Sequence, residues 1–385
     1  MIRVSGDWLE NPATQRVLAM LDSAGHQALL VGGCVRNALL GVEVADIDIA
    51  TDARPETVMT LAQKAGFKAI PTGLDHGTIT VVADSIPHEI TTFRSDIDTD
   101  GRHAVVQFST SVNDDAARRD FTMNALYARA DGTVVDPLGG LDDLHARRIR
   151  FIKNPKARIT EDYLRILRFF RFHAWYGDPN AGLDAEGLAA CAELADGLET
   201  LSKERVTAEL LKLLNAPIPS PSVASMSVAG CLHRILPQAD AKALPILIDF
   251  EQQFDLSPDP LRRLASFGSF DAAENLRLSK AQLRQLTLLR SILTDYTSAS
   301  ELGYRHGFAT GLDMVLIFAA MTETALSPTA RADLATGAAA TFPVKPHDLM
   351  PQFEGPALGQ KLAELEAEWI ESGFAKNKAE LLRFS

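Results

Sequence analysis

The chain has 385 residues, of which 46% are hydrophobic and 23% charged, a composition typical of a globular protein with two to four domains. The net charge of −12 disfavours non-specific nucleic-acid binding but leaves room for a local basic site. The apolar run Met314–Met321 is too short to cross a bilayer, and we predict no secretory signal from the pattern of the N-terminal residues. Three widely spaced cysteines fit neither a disulfide nor a zinc pattern, so we predict a cytoplasmic protein.

Residues 1–150 alternate strand-like and helix-like segments, which predicts a mixed α/β unit. The predicted strands are Gln27–Val31, Asp46–Ala50, Thr133–Val135 and a hairpin formed by Thr78–Ala83 and His88–Phe93. The predicted helices are Val35–Leu40, a helix starting near Pro55 with Thr51 or Asp52 as its cap, and one running through Arg118–Leu126 with Asn113 or Asp114 as its cap. The polar segment Ser95–His103 is predicted to be a mobile loop.

From about Thr160 the pattern is helical, with a proline-rich joint at Ala216–Ser222. The predicted fold class is therefore α+β, with a mixed sheet and helices first and an all-helical part after it.

A glycine pair follows the first predicted strand. Gly32 and Gly33 allow the backbone to approach a ligand closely, and Arg36 follows on the first turn of a helix. Free amides at a helix start and a guanidinium group together suit a phosphate. A tight turn with a surface arginine explains these residues about equally well.

Two aspartates follow one strand later. Alternate residues of a strand point to one face, so Asp46 and Asp48 project together. Paired carboxylates suit Mg²⁺, and two such ions can activate a 3′-hydroxyl and hold a leaving pyrophosphate. Glu89, on a neighbouring predicted strand, is a candidate third catalytic carboxylate, although a glutamate at the sheet edge is the slightly favoured interpretation of this residue alone. A solvated strand end is the simpler interpretation of the aspartates alone, and their order after the glycine turn favours the metal site.

Arg118 and Arg119 oppose the dipole at the start of their predicted helix, which indicates a functional role for them. One of them can face a triphosphate. Asp120 and Asn124 are four residues apart and can hydrogen-bond a sugar or hold an arginine.

Asp162, Arg165 and Phe169 fall on one predicted helical stripe, with Arg168 beside it. Cytosine and adenine each present an amino group next to an acceptor nitrogen, whereas uracil and guanine present a carbonyl there. An aspartate and an arginine can therefore select C and A, although an ordinary salt bridge on a solvated helix is the usual alternative. The nine Lys and Arg residues between Arg147 and Arg171 predict a basic band that can bind RNA.

Together these motifs resemble those of the class II tRNA nucleotidyltransferase and bacterial poly(A) polymerase family. In chain order they are GGxVR at Gly32–Arg36, DxD at Asp46–Asp48, RRDFTxNA at Arg118–Ala125, DPxGGxxDL at Asp136–Leu144 and EDxxRxLR at Glu161–Arg168. Asn37 departs from the pattern, which usually has Asp at this position. The resemblance spans most of the chain.

The resemblance implies a polymerase β-like head at 1–150, a helical neck at 151–215, a helical body at 216–330 and a helical tail at 331–385. It implies that tRNA is bound through its acceptor and TΨC arms, and that CTP, ATP and two Mg²⁺ ions are used. The metal ligands would be Asp46 and Asp48, and the nucleotide would be bound by Gly32, Gly33, Arg36, Arg118, Arg119, Asp120, Asn124, Asp162, Arg165 and Arg168. Asp136–Gly140 would be a hinge.

The implied activity is template-independent addition of CCA to the 3′ end of tRNA. A poly(A) polymerase and a partial enzyme that adds only CC or only A are alternatives within the family. A non-catalytic RNA-binding relative is the alternative from another class, and the intact aspartate pair argues against it. The oligomeric state is left open.

Overall fold

The computed structural model describes residues 2–74, 77–97 and 105–383. Contacts divide the chain into a first unit that ends at Ile235 and a second unit that begins at Leu236. The four-part division into head, neck, body and tail stays a prediction.

The first unit contains all the described strands. They are β1 (Ala28–Val31), β2 (Ile47–Thr51), β3 (Lys68–Gly73), β4 (Thr78–Ala83), β5 (Ile86–Thr92), β6 (Arg94–Ile97), β7 (Val105–Phe108), β8 (Tyr127–Ala128) and β9 (Val134–Val135). Seven of them form a mixed sheet in the order β3-β4-β5-β2-β1-β8-β9, while β6 pairs with β7. β2 and β5 run parallel, and the other pairings described are antiparallel. The apolar strand β1 is buried at all four positions because it lies inside the sheet.

The helices of the first unit flank the sheet and then continue without strands. They are α1 (Asp7–Glu10), α2 (Pro12–Asp22), α3 (Gly33–Leu40), α4 (Pro55–Lys64), α5 (Val112–Ala117), α6 (Gly140–His145), α7 (Pro155–Glu161), α8 (Leu164–Tyr176), α9 (Ala185–Glu193), α10 (Lys203–Leu214), α11 (Ser220–Val228) and α12 (Cys231–Ile235). Short 3₁₀ turns cover Thr122–Asn124 and Ala195–Thr200. This order confirms the predicted α+β class.

In the second unit the described secondary structure is helical. Its helices are α13 (Leu244–Gln253), α14 (Pro260–Ala265), α15 (Ala272–Asn275), α16 (Lys280–Ser291), α17 (Ala299–Thr322), α18 (Ala330–Ala339), α19 (Gly355–Glu371) and α20 (Lys378–Leu381), with a 3₁₀ turn at Pro346–Asp348. Among the helices described, none combines the length and apolar character that crossing a membrane requires.

The predicted cap of α4 and the predicted loop after β5 were wrong. α4 begins after Arg54 without a side-chain cap, because Thr51 ends β2 and the carboxylate of Asp52 binds His26 and Gln27 instead. The predicted loop Ser95–His103 begins as strand, since Ser95–Ile97 belong to β6 and pair with β7. Residues 98–103 of that prediction lie outside the described residues.

Candidate active site

The turn at Gly32 joins β1 to α3 and lies beside Arg119. Gly32 has φ 69° and ψ −115°, a backbone conformation that glycine adopts at low cost. A Cβ at this position would lie 3.4 Å from Nη1 of Arg119, so the backbone passes close to that guanidinium. α3 begins at the next residue, where the first-turn amides have no partners within the helix. The predicted phosphate turn therefore stands next to an arginine from another element.

Asp48 and Glu89 are in register on the parallel strands β2 and β5. Residues in register on neighbouring strands point to the same face, so these carboxylates project together. Asp46 lies one residue before β2 and is exposed, whereas the predicted strand included it. Burial, followed by the charge of Glu89, raises the pKa of Asp48 to about 6, and Asp46 adds to the rise. The negative charge at this end of β2 is thus incompletely compensated by protein groups.

These three carboxylates fit a magnesium ion in part. Their oxygens are the hard donors that Mg²⁺ prefers. Within residues 2–74, 77–97 and 105–383, no three His, Cys, Asp or Glu side chains form a complete metal-binding group. Mg²⁺ is commonly held by one or two carboxylates together with waters and substrate phosphates, and the paired Asp48 and Glu89 are compatible with that pattern.

A cleft of about 280 Å³ contains two of these carboxylates. Its lining residues are Val31, Asp48, Ile49, Thr78, Glu89, Thr91, Arg94, Arg118 and Arg119. It thus combines acidic groups, which suit a metal ion, with guanidinium groups, which suit a triphosphate.

Asp115 on α5 binds both arginines of the cleft. Its side chain is 1% exposed, and it accepts hydrogen bonds from Nε and Nη2 of Arg118 at 2.8 and 2.6 Å. It also accepts hydrogen bonds from Nε and Nη2 of Arg119 at 3.2 and 3.0 Å, and from the hydroxyl of Tyr127 at 2.8 Å. Burial raises the pKa of Asp115, but the two guanidinium groups outweigh it and keep the pKa below its usual value. Asp115 was not predicted as a site residue, although its i, i+3 and i, i+4 spacing from two arginines was a usable signal.

The segment from Arg118 to Leu126 is not a helix, contrary to the prediction. α5 is capped by Ser111, not by Asn113 or Asp114, and it ends at Ala117. The backbone then pairs with a distant segment: the amide of Thr122 donates to the carbonyl of Arg150, and the amide of Ile152 donates to that of Asp120. This pairing replaces the helical hydrogen bonds that the local pattern suggested.

Asp120 and Asn124 each hold an arginine, as one of the predicted alternatives stated. Oδ2 of Asp120 accepts hydrogen bonds from Nε and Nη2 of Arg168 at 2.8 and 2.5 Å, and Oδ1 of Asn124 accepts one from Nη1 of Arg36 at 2.6 Å. The amide of Asn124 also donates to Oδ1 of Asp120 at 2.9 Å. Burial raises the pKa of Asp120, but the charge of Arg168 and these hydrogen bonds lower it to about 2.

Arg36 is surrounded by protein groups. Its side chain donates to Asn37, Asn124 and Tyr176, and the residue is 7% exposed. In this conformation its guanidinium lies against the protein interior. The predicted contact with a triphosphate stays a prediction.

Asp162 and Arg165 do not share one helical stripe. Asp162 lies between α7 and α8 with φ −158° and ψ 105°, and it accepts hydrogen bonds from the amide of Leu164 at 3.1 Å and from Nη2 of Arg205 at 2.8 Å. Arg165 donates to Glu161 and to the carbonyl of Arg158, each at 2.6 Å. The i, i+3 salt bridge considered as the alternative is therefore also not formed.

Phe169 belongs to the core and not to a base-reading surface. It is fully buried, and its ring lies 5.3 Å from that of Phe151 and 6.3 Å from that of Phe121. The aromatic residues of this segment thus fasten α8 to the segments 118–126 and 150–152.

A second cleft of about 330 Å³ shares Arg118 with the first. Its lining residues are Ser95, Asp114, Ala117, Arg118, Lys153, Asn154, Ala157, Arg158 and Glu161. Arg158 is buried, binds the carboxylate of Glu161, and donates to the carbonyl oxygens of Arg118 and Arg119. The start of the predicted neck is thereby attached to the backbone of both cleft arginines.

The predicted basic band is largely paired with carboxylates. Seven of its nine cations form ion pairs, namely Arg148, Arg150, Lys156, Arg158, Arg165, Arg168 and Arg171. Within the described part of the chain, Arg147 and Lys153 form none, and both are exposed. The band therefore offers fewer free charges to RNA than its sequence suggested.

The predicted hinge at Asp136–Gly140 precedes α6. The carboxylate of Asp136 accepts hydrogen bonds from the amides of Gly140 at 2.8 Å and Leu141 at 3.0 Å. Asp136 thus satisfies amides at the start of α6, and a hinge motion here stays a prediction.

Two family models match the chain. Residues 28–150 match the poly A polymerase head domain, and residues 182–242 match a probable RNA and SrmB-binding site of polymerase A. These matches cover the seven-stranded sheet, the residues that line the first cleft and part of the helical region after it.

Curated relatives and a solved structure agree with these matches. The mitochondrial CCA tRNA nucleotidyltransferase 1 of Mus musculus is 33% identical over 382 residues, which is 93% of this chain and 86% of that protein. The CCA-adding enzyme of Geobacillus sp. is 40% identical over 56% of this chain and 52% of its own length. The crystal structure of the Bacillus stearothermophilus CCA-adding enzyme in complex with CTP superposes with a TM-score of 0.70 at 26% identity, covering 94% of this chain and 92% of that chain. The chain therefore belongs to the family of class II CCA-adding tRNA nucleotidyltransferases.

Proposed function

We propose that this chain adds CCA to the 3′ end of tRNA from CTP and ATP and releases pyrophosphate. The observation that carries the proposal is the cleft in which Asp48 and Glu89 lie with Arg118 and Arg119, beside the Gly32 turn. The near full-length similarity to CCA-adding enzymes supports the choice of substrate.

Within this proposal each group has a distinct task. Asp46 and Asp48 hold magnesium, taken as two ions, which would activate the 3′-hydroxyl and neutralise the leaving pyrophosphate. Arg118 and Arg119 orient the triphosphate, because their rigid guanidinium groups match phosphate oxygens and Asp115 fixes their direction. Glu89 is the third carboxylate of the site.

Base selection is proposed for Asp162 and Arg165. Both are only partly buried, with side-chain exposures of 32% and 15%, so an incoming base can reach them. Because Arg205 and Glu161 now bind these side chains, we infer that a nucleotide exchanges at least one of those ion pairs for its own hydrogen bonds.

A primer-extension assay tests the activity. Purified protein would be given tRNA that ends at the discriminator base, with labelled CTP, ATP and Mg²⁺, and the product would be sequenced. We expect CCA addition by the wild type and none by Asp46→Asn/Asp48→Asn. Asp84→Asn is the matched control, because Asp84 is an exposed carboxylate of the same unit that pairs with Arg16.

The product separates the candidate functions. Runs of A would indicate a poly(A) polymerase, and products ending in CC or in a single A would indicate a partial enzyme. Absence of extension, with tRNA still bound, would support a non-catalytic RNA-binding relative and refute the proposal.

The proposed partner is tRNA, bound through its acceptor and TΨC arms. The salt dependence of tRNA binding tests which cations contact its phosphates. Each phosphate contact contributes about 0.7–0.9 to the slope of log K against log salt. We expect Arg147→Ala/Lys153→Ala to reduce that slope by about 1.4–1.8. Arg148→Ala/Arg150→Ala, which removes cations paired with Asp143, should reduce it by less. If both double variants reduced the slope equally, Arg147 and Lys153 would not be the residues that contact tRNA phosphates.

The cytoplasm is proposed as the location. The support is the chemistry of Cys34, Cys191 and Cys231, which are buried free thiols and suit a reducing compartment.

A further inference from the structure

Arg36 and Arg168 come from different helices but bind the same buried pair of side chains. Arg168 on α8 binds the carboxylate of Asp120, and Arg36 on α3 binds the amide oxygen of Asn124. Asp120 and Asn124 are 9% and 7% exposed and are joined by a hydrogen bond of 2.9 Å. A continuous chain of polar contacts therefore links the phosphate-turn helix to the helix that carries Arg165.

Tyr176, on the last turn of α8, closes this chain at Arg36. Its hydroxyl accepts a hydrogen bond from Nη2 of Arg36 at 2.8 Å, and Cζ of Arg36 lies 4.0 Å from the centre of its ring. Asn37 accepts two further hydrogen bonds from the same guanidinium, at 3.2 and 2.9 Å. Within the described part of the chain Arg36 forms no ion pair, so neutral acceptors and aromatic rings hold a nearly buried cation.

This arrangement creates a competition for Asp120. A buried guanidinium is stabilised most by a carboxylate, and Asp120 is close enough for its charge to act on Arg36. Asp120 is nevertheless bound twice by Arg168. If Arg36 lost an acceptor at Tyr176, it would turn toward Asp120 and weaken the hold of Asp120 on Arg168.

We propose that Tyr176 and Arg36 are positioning residues for base selection, because they keep Asp120 bound to Arg168 and so fix α8 against the phosphate turn. This inference rests on the proposed function, in which Arg165 on α8 reads the base. Tyr176 lies 11 residues after Arg165, which is about 16 Å along a helix. Tyr176 therefore acts on the base through the chain of contacts and not by touching it.

The variant Tyr176→Phe tests the inference, since it removes the hydroxyl and keeps the ring. The measurement is the ratio of kcat/KM for CTP to that for UTP, in single-nucleotide addition to tRNA lacking CCA. We expect this ratio to fall at least about threefold. A change of this size is what residues in one hydrogen-bonded network typically show when one of them is altered. Tyr304→Phe, which loses a comparable hydrogen bond to Glu366 in the second unit, should leave the ratio unchanged.

Combining Tyr176→Phe with Arg168→Lys provides the second measurement. Both changes act on Asp120, so their effects on the CTP-to-UTP ratio of kcat/KM should not multiply. The fold-decrease of this ratio in the double variant should be about threefold smaller than the product of the fold-decreases in the two single variants. Thermal unfolding of each variant shows whether it remains folded at the assay temperature, and the coupling is evaluated among folded variants.

The outcomes separate this inference from the proposed function. A wild type that adds no cytidine to tRNA would overturn both. The second outcome is a wild type that adds CCA and a Tyr176→Phe variant that keeps the wild-type ratio, for example because its activity falls equally for CTP and UTP. This outcome would overturn only the role of Tyr176. Independent, multiplicative losses in the double variant would also overturn it.

Discussion

Replacing Asp115 by asparagine tests whether the two cleft arginines depend on one buried carboxylate. Asp115 accepts hydrogen bonds from Arg118, Arg119 and Tyr127. Asparagine keeps one acceptor oxygen and turns an NH₂ group toward the other donors, so at least two of these bonds are lost. Removing one partner of a buried ion pair costs about 3–5 kcal/mol. Since the arginine side chains are 15% and 19% exposed and water can solvate part of their charge, we expect a loss of about 2–3 kcal/mol.

The assays are urea unfolding and steady-state nucleotide addition on the folded variant. Misplaced arginines should bind the triphosphate poorly, so kcat/KM for CTP should fall by about 100-fold, a loss that misplacement of about 1 Å can cause. Asp84→Asn, at an exposed ion pair, should change stability by less than about 0.5 kcal/mol and leave kcat/KM unchanged. Wild-type stability and kcat/KM in Asp115→Asn would show that the arginines are oriented by other groups.

Three further changes probe charge and packing. The folded pKa of Asp120 is about 2 against 3.8 ordinarily, so the stability that its carboxylate contributes is present above pH 4 and is lost as the pH falls toward 2. The difference in unfolding free energy between wild type and Asp120→Asn should therefore shrink by about 1 kcal/mol from pH 5 to pH 3. A difference that stays constant over this range would contradict the low pKa. Glu251→Ala removes the carboxylate that two buried arginines of the second unit share. The free energy of unfolding, measured in urea, should fall by about 3–5 kcal/mol. A decrease of less than about 1 kcal/mol would contradict the argument that these arginines need a buried partner. Gly140→Ala would place a Cβ against the backbone of Thr122 and should lower the melting temperature by several degrees. Gly359 has open space around it, so Gly359→Ala should leave the melting temperature unchanged. Equal effects of the two substitutions would refute the steric reasoning.

The sheet of the first unit could largely be predicted from sequence. Alternating and apolar runs predicted β1, β2, β4 and β5 to within two residues of their observed ends, because strand side chains alternate between faces. Gly41 ends α3 in the left-handed conformation, which glycine favours directly after a helix. These features depend on local sequence, where period and turn chemistry are informative.

The parts that could not be predicted depend on contacts between distant segments. The segment after Arg118 carries a helical pattern, but its backbone pairs with residues 150–152. Asp162 was placed on a helix because its spacing from Arg165 fits one, yet the chain breaks there and Arg205 binds its carboxylate. The arginine partners of Asp115 lie within four residues of it, but its hydrogen bond from Tyr127 spans twelve residues. No local period contains that information.

The charge of the chain can now be reconciled with an RNA substrate. A net charge of −12 opposes binding to a polyanion, and the basic band predicted from the sequence would offset it locally. The structure commits most of that band to internal carboxylates, so the cations serve chiefly to orient α7, α8 and the cleft. Ion pairs of this kind do not supply the counterion release that drives non-specific binding. Within this band Arg147 and Lys153 are therefore the cations most available to phosphates, and the salt dependence of tRNA binding measures their contribution.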